Sequence, residues 1–149
     1  MMLYLGLGTN LGDKEANLHA ALKQIKEQIG NIVSLSSFYV SEPWGFESKN
    51  SFVNAVCEVK TCLQPLQILK ITQNIERELG RTHKTINGIY NDRLIDIDIL
   101  MYDNRVIKTP ELSIPHPLMC ERHFVIEPLI EIAPELTHPI TGKKMKEYL

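Results

Sequence analysis

The sequence predicts an α+β fold: a β-α-β-β-α-β run whose antiparallel sheet carries helices on one face, followed by a proline-punctuated C-terminal extension. Three observations predict it. Two stretches with apolar residues at helical spacing each stop at a glycine, Gly30 and Gly80. Four β-rich runs, at 3–8, 32–40, 51–61 and 94–102, bracket those stretches. Six prolines (Pro110, Pro115, Pro117, Pro128, Pro134 and Pro139) crowd the last third, where only short pieces at the sheet edge are expected.

Each element has a local reason. The apolar run 3–8 ends in glycines and reads as a buried strand. Asp13 is a good N-cap for a helix whose inner stripe is Leu18, Ala21, Leu22, Ile25 and Ile29. Residues 32–40 are β-rich until Ser41-Glu42-Pro43-Trp44-Gly45 breaks them. In 51–61, Val53, Ala55, Cys57 and Val59 face one way and Phe52, Asn54, Val56 and Glu58 the other. Pro65 suits the first turn of a second helix, with Leu66, Leu69, Thr72, Ile75 and Leu79 as its stripe. Residues 81–93 lack periodicity, 94–102 form a strand, and Asp103-Asn104 a turn. This order is the ferredoxin-like arrangement.

At 149 residues the chain fits one domain, 1–149, able to bury a core without staples. Sixteen basic against eighteen acidic residues argue against a protein whose affinity comes from neutralising a nucleic-acid backbone. A local basic cluster for a small anion remains compatible with that balance. Cys57, Cys62 and Cys120 match neither a zinc ribbon nor a disulfide framework and read as core residues. The start has no basic signal-peptide region and no apolar run approaches the ~20 residues of a membrane span. A reduced, cytoplasmic protein is expected.

The strongest chemical signal is Leu94-Ile95-Asp96-Ile97-Asp98-Ile99-Leu100. Alternation puts Asp96 and Asp98 on one strand face about 6.5 Å apart, with Ile95, Ile97, Ile99 and Met101 on the core side. A lone strand Asp is usually solvated or ion-paired. Two at i and i+2 repel, and a divalent cation with oxygen ligands offsets that repulsion. Arg81, His83, Lys84 and Arg93 precede the pair, and His116, Arg122 and His123 follow it. Carboxylates for Mg²⁺ beside cations for phosphate charge are what phosphoryl transfer requires. Gly6-Leu7-Gly8-Thr9-Asn10-Leu11-Gly12 fits neither a dinucleotide fingerprint nor a P-loop, and reads as a tight strand-to-helix turn. Trp44, Phe52 and Asn54 group apolar rings with an amide able to read a heteroaromatic edge.

At these residues the sequence resembles the 6-hydroxymethyl-7,8-dihydropterin pyrophosphokinases of folate biosynthesis along essentially its whole length. The carrying motifs are Gly8-Thr9-Asn10-Leu11-Gly12, Phe52-Val53-Asn54-Ala55, Glu76-Arg77-Glu78-Leu79-Gly80-Arg81 and Arg93-Leu94-Ile95-Asp96-Ile97-Asp98-Ile99. Pro115-His116-Pro117 with Arg122-His123-Phe124-Val125 completes them. The resemblance implies pyrophosphoryl transfer from ATP to the hydroxymethyl group of a dihydropterin, releasing AMP. It implies that Asp96 and Asp98 hold two Mg²⁺ ions, that Arg81 and Arg93 contact phosphates, and that His116 does so too. Arg122 would lie near the reacting group. Asn54 would hydrogen-bond a pterin stacked between Phe52 and Phe124, with Ser41 and Trp44 lining the pocket. Gln73, Glu76, His83 and Ile99 would border the nucleotide. Loops 41–50 and 81–93 would close over both substrates and exclude water.

Two positions depart from the family pattern. His83 stands where many relatives carry a second arginine, so nucleotide contacts through it would weaken as pH rises. Tyr90-Asn91-Asp92-Arg93 replaces a common Trp-Gly-Pro-Arg. The partners implied are small molecules, not nucleic acid or membrane, and a monomer is expected. A metal-dependent phosphohydrolase or nuclease would use the same carboxylates to activate water. A non-catalytic ligand- or RNA-binding ferredoxin-like module would have little need of the acids, which repel phosphate.

Overall fold

The computed structural model describes residues 1–42, 51–80 and 94–149. Five strands form one antiparallel sheet: β1 (Met2–Thr9), β2 (Asn31–Leu35), β3 (Tyr39–Ser41), β4 (Phe52–Lys60) and β5 (Asp96–Tyr102). The order is β2-β4-β1-β5, and β3 continues the β2 edge by pairing with the other end of β4. Helices α1 (Lys14–Gln28) and α2 (Pro65–Gly80) are the crossovers. A small hairpin, β6 (Ile107–Lys108) with β7 (Ser113–Ile114), leads to α3 (His123–Ile132).

Local chemistry sets these bounds. Asp13 caps α1 by accepting the Ala16 N–H at 3.1 Å. Gly30 follows α1 where a Cβ would sit 2.1 Å from the Lys60 carbonyl oxygen, so only glycine lets the chain pass β4 there. Along β1, Leu3, Leu5 and Leu7 join Leu18, Ala21, Leu22 and Ile25 of α1 in the main core, as do Cys57, Val59, Ile97 and Ile99. On α2 the buried stripe is Pro65, Ile68, Thr72 and Ile75. The expected stripe is therefore corrected at its start, with Leu66 exposed and Pro65 and Ile68 inside, so that over the first turns the buried face runs one position earlier than expected.

Three further expectations are revised. The run 32–40 is two strands, β2 and β3, with a break at 36–38. The alternation of β5 shifts at a bulge: Leu5 pairs Ile99 and Tyr4 pairs Met101, leaving Leu100 extra, so Met101 turns away from the main core into the second one. The C-terminal third does more than lie at an edge. Helix α3 packs on the sheet face opposite α1 and α2, where Val125, Ile126 and Leu129 join Tyr4, Val56, Leu100 and Met101. Its Pro128 is in the body of the helix, where the apolar underside supplies the stability that propensity withholds. Cys57 is core, its thiol pushed up to about 12 by burial, whereas Cys62 is exposed in the β4–α2 linker and Cys120 half-buried. Among the described residues, no helix is long and apolar enough to cross a membrane.

Candidate functional site

The second sheet face is the one that carries chemistry. Pairing sets Asp98 beside Gly6 and Asp96 beside Gly8, and on the other side Gly8 beside Asn54. Residues paired directly across an antiparallel ladder share a face. The two acids and the Asn54 amide therefore flank a stretch of β1 with no side chains. The glycines are needed for that trough. A Cβ on Gly8 would lie 3.0 Å from Asn54 Oδ1 and 3.5 Å from the Phe52 ring, and one on Gly6 would lie 3.4 Å from Leu100. Of the three glycines read as a turn, only Gly12 (φ 65°) is in one; Gly6 and Gly8 are inside β1 as the trough floor. Their period of two, matching that of Asp96 and Asp98, is the signal that could have revealed them.

Charge is concentrated at Asp98. Arg122 Nη1 lies 3.6 Å from Asp98 Oδ2, and His116 Nε2 lies 4.0 Å from Asp98 Oδ1. Asp98 keeps 31% of its side chain exposed. Arg122 is the N-cap residue of α3, its guanidinium 5.6 Å from the Phe124 ring centre in the first turn. His116 is held twice. Its N–H donates to the Leu100 carbonyl on the edge strand, and its Nδ1 accepts the Leu118 N–H at 3.2 Å. With Nδ1 accepting, the ring proton sits on Nε2, directed towards Asp98. Burial, then the Arg122 charge, hold the imidazole below its usual pKa and so neutral.

A third carboxylate approaches from the other face of the sheet edge. Glu76 on α2 accepts the Ile97 N–H at 2.8 Å and hydrogen-bonds Asp96. Burial chiefly pushes its carboxyl up to about 8, the Asp96 and Asp98 charges adding to the shift and the Ile97 N–H opposing it. Gln73, one turn earlier, is exposed. Ile99 has its side chain in the main core at 5% exposure, so what it can offer a nucleotide is the backbone of the edge strand.

On the β4 side, Asn54 is buried and its Nδ2 donates to Ser41 Oγ at 2.6 Å. Phe52 pairs with Ser41 and is half-buried, as is Phe124. The structure thus brings together Ser41, Phe52, Asn54, Asp96, Asp98, His116, Arg122 and Phe124 on one side of the sheet. His123 is exposed. Trp44, Arg81, His83 and Arg93 lie outside the described residues.

The residues present fit Mg²⁺ of one kind. Among the described residues, no group of three or more His, Cys, Asp or Glu side chains could hold an ion by itself. Two carboxylates on one strand face, above a floor with no Cβ, suit an ion that takes its other ligands from water and phosphate.

Comparison with known proteins gives the family and the fold. The family model for 7,8-dihydro-6-hydroxymethylpterin-pyrophosphokinase matches residues 4–134. A 2-amino-4-hydroxy-6-hydroxymethyldihydropteridine pyrophosphokinase of Porphyromonas gingivalis is 51% identical over 139 residues, covering 93% of this chain and 94% of the relative. One from Aquifex aeolicus is 40% identical, covering 98% and 89%. Among solved structures, the wild-type HPPK-DHPS of Plasmodium falciparum superposes with a TM-score of 0.77 at 18% identity. It is covered over 99% of this chain, which spans only 44% of that longer protein.

Proposed function

Because the chain belongs to the 7,8-dihydro-6-hydroxymethylpterin-pyrophosphokinase family, and so transfers a pyrophosphoryl group from ATP to the hydroxymethyl group of that pterin in folate synthesis, we propose a division of labour among its residues. The observation that carries it is the pairing of Asp96 and Asp98 with Gly8 and Gly6, beside Arg122 and His116.

Asp96 and Asp98 would hold Mg²⁺, two ions by the family resemblance, and the bound metal supplies neutralisation of phosphate charge. Arg122 contributes a fixed cation close to Asp98. His116 offers a neutral Nε2–H, a donor to a phosphate oxygen whose strength does not depend on protonation near pH 7. Asn54, its Nδ2 held by Ser41, keeps its carbonyl oxygen at the Gly8 floor and reads the pterin edge. Phe52 and Phe124 supply ring faces for a flat heterocycle. Arg81 and Arg93 are assigned to the phosphates, Trp44 to the pterin pocket, and Gln73, Glu76, His83 and the Ile99 backbone to the nucleotide border. No residue is assigned as general base, since positioning and charge neutralisation carry much of a loose phosphoryl transfer. The same reading takes 1–149 as one catalytic domain, monomeric and cytoplasmic, acting on small molecules.

The test is the nucleotide product from protein, Mg-ATP and 6-hydroxymethyl-7,8-dihydropterin. AMP formed only when pterin is present is the expected result. Pterin-dependent ADP would sink this assignment in favour of an ordinary kinase, and nucleotide release without pterin in favour of a hydrolase.

A further inference from the structure

The break between β2 and β3 is built, and a carboxylate from α3 builds it. Ser36 still pairs with β4: its N–H donates to the Val56 carbonyl at 2.9 Å, and its hydroxyl accepts the Val56 N–H at 2.9 Å. Tyr39 next pairs with Asn54. Three residue steps on this edge therefore match two on β4, which makes the segment a bulge. The Ser37 N–H leaves the ladder and donates to Glu131, lying 3.0 Å from each carboxylate oxygen. Ser37 Oγ adds a bond of 2.9 Å to Oε2, and the Tyr39 hydroxyl one of 2.6 Å to Oε1.

The bulge decides which side chains of β3 face the trough. With it in place, Tyr39 pairs with Asn54 and Ser41 with Phe52, so the Ser41 hydroxyl meets the Asn54 amide. Strand alternation has a period of two, so a slip by one residue would turn Val40, now 73% exposed, towards Asn54 instead. β3 has only three residues, too few for its pairing alone to fix the register. Glu131 is on the same helix that carries Phe124 in its first turn, so one rigid element reaches both sides of the proposed pterin slot.

We propose that Glu131 is a positioning residue for pterin recognition: by pinning Ser37 and Tyr39 it fixes the phase of β3 and hence the Ser41–Asn54 contact. This rests on the reading that Ser41 and Asn54 line the pterin site. Glu131 touches no substrate, and its effect passes entirely through β3.

The experiment is steady-state kinetics for both substrates on Glu131→Gln, Tyr39→Phe, the double variant and Asn54→Ala, with thermal melting of each. Glu131→Gln and Tyr39→Phe should each raise the pterin KM about five- to tenfold, with kcat and the ATP KM within about twofold. The double variant should be no worse than Glu131→Gln alone, because both break one clasp. A merely structural role would lower the melting temperature and the active fraction, reducing kcat while leaving both KM values in place; that result overturns the proposal. So does an equal rise in both KM values. If Asn54→Ala raises the pterin KM and neither clasp variant does, the clasp alone fails. If Asn54→Ala leaves it unmoved as well, the pterin site fails and the clasp with it.

Discussion

At one end of the face under α3, the strands β1, β4 and β5 present Tyr4, Val56, Leu100 and Met101, packed against Val125, Ile126 and Leu129. At the other end the same three strands present Gly6, Gly8, Asn54, Asp96 and Asp98. The backbone ladder runs on through both ends, and only the side chains change. Where they are large and apolar, a helix covers them and the surface is core. Where β1 has none and its neighbours are polar, the same ladder becomes a trough with a fixed floor. The site is thus rigid by continuity with the core, as a catalytic constellation needs to be.

The comparison breaks most sharply at Asp98. Asp98→Ala should lower kcat/KM roughly 10²–10³-fold, about 3–4 kcal/mol of transition-state stabilisation. The melting temperature should change little, since the lost attraction to Arg122 is offset by relief of repulsion from Asp96. The core end should behave in the opposite way. Ile126→Ala removes a fully buried side chain and should cost about 2–5 kcal/mol of stability, several degrees in Tm, while the protein that stays folded keeps its KM values. Parallel melts and kinetics on the two variants check both statements. A stable but inactive Ile126→Ala would mean that the two ends are not separable.

The floor itself can be tested next. Gly8→Ala places a Cβ 3.0 Å from Asn54 Oδ1, so the amide must move by a few tenths of an ångström. A roughly tenfold rise in pterin KM is expected with little change in Tm, because the strand gains from losing a glycine what crowding takes away. Gly6→Ala meets Leu100 at 3.4 Å and should do less. If the order of these two effects were reversed in the pterin KM, the trough would not bind pterin at its Asn54 end.

The divide between the two ends was only partly legible from residues alone. Asp96 and Asp98 could be read as sharing a face because a strand's period of two is strict, and the Asp13 cap and the Gly30 stop carry their own local chemistry. Met101 could not, because alternation holds only until a bulge, and the bulge at Leu100 arises from pairing with β1. The second-face role of α3 was hidden by Pro128, a poor helix residue kept there by tertiary packing. Gly6 and Gly8 read locally as turn residues because a glycine's meaning lies in what stands opposite it. Ser37 and Tyr39 each lie more than ninety residues from Glu131 along the chain, beyond any local pattern.

Glu76 gives the expected effect most specific to the trough, and one that leaves kinetics aside. In the metal-free protein its carboxyl is pushed up to about 8, first by burial and then by the charges of Asp96 and Asp98. A carboxyl raised above its unfolded value of about 4.3 makes the folded state bind more protons than the unfolded state across that window. Stability must therefore fall as pH rises from about 4.5 through 8, the loss being complete above 8. With part of the group reaching water, screening leaves about 2 kcal/mol. Glu76→Gln keeps an acceptor for the Ile97 N–H and removes the titration. Urea unfolding of both proteins in EDTA at several pH values measures the difference directly. The variant should gain on the parent steadily between pH 5 and 8. A constant gap would mean that Glu76 is ionised at neutral pH, and that the acids of this sheet edge are far better solvated than their neighbours at the core end allow.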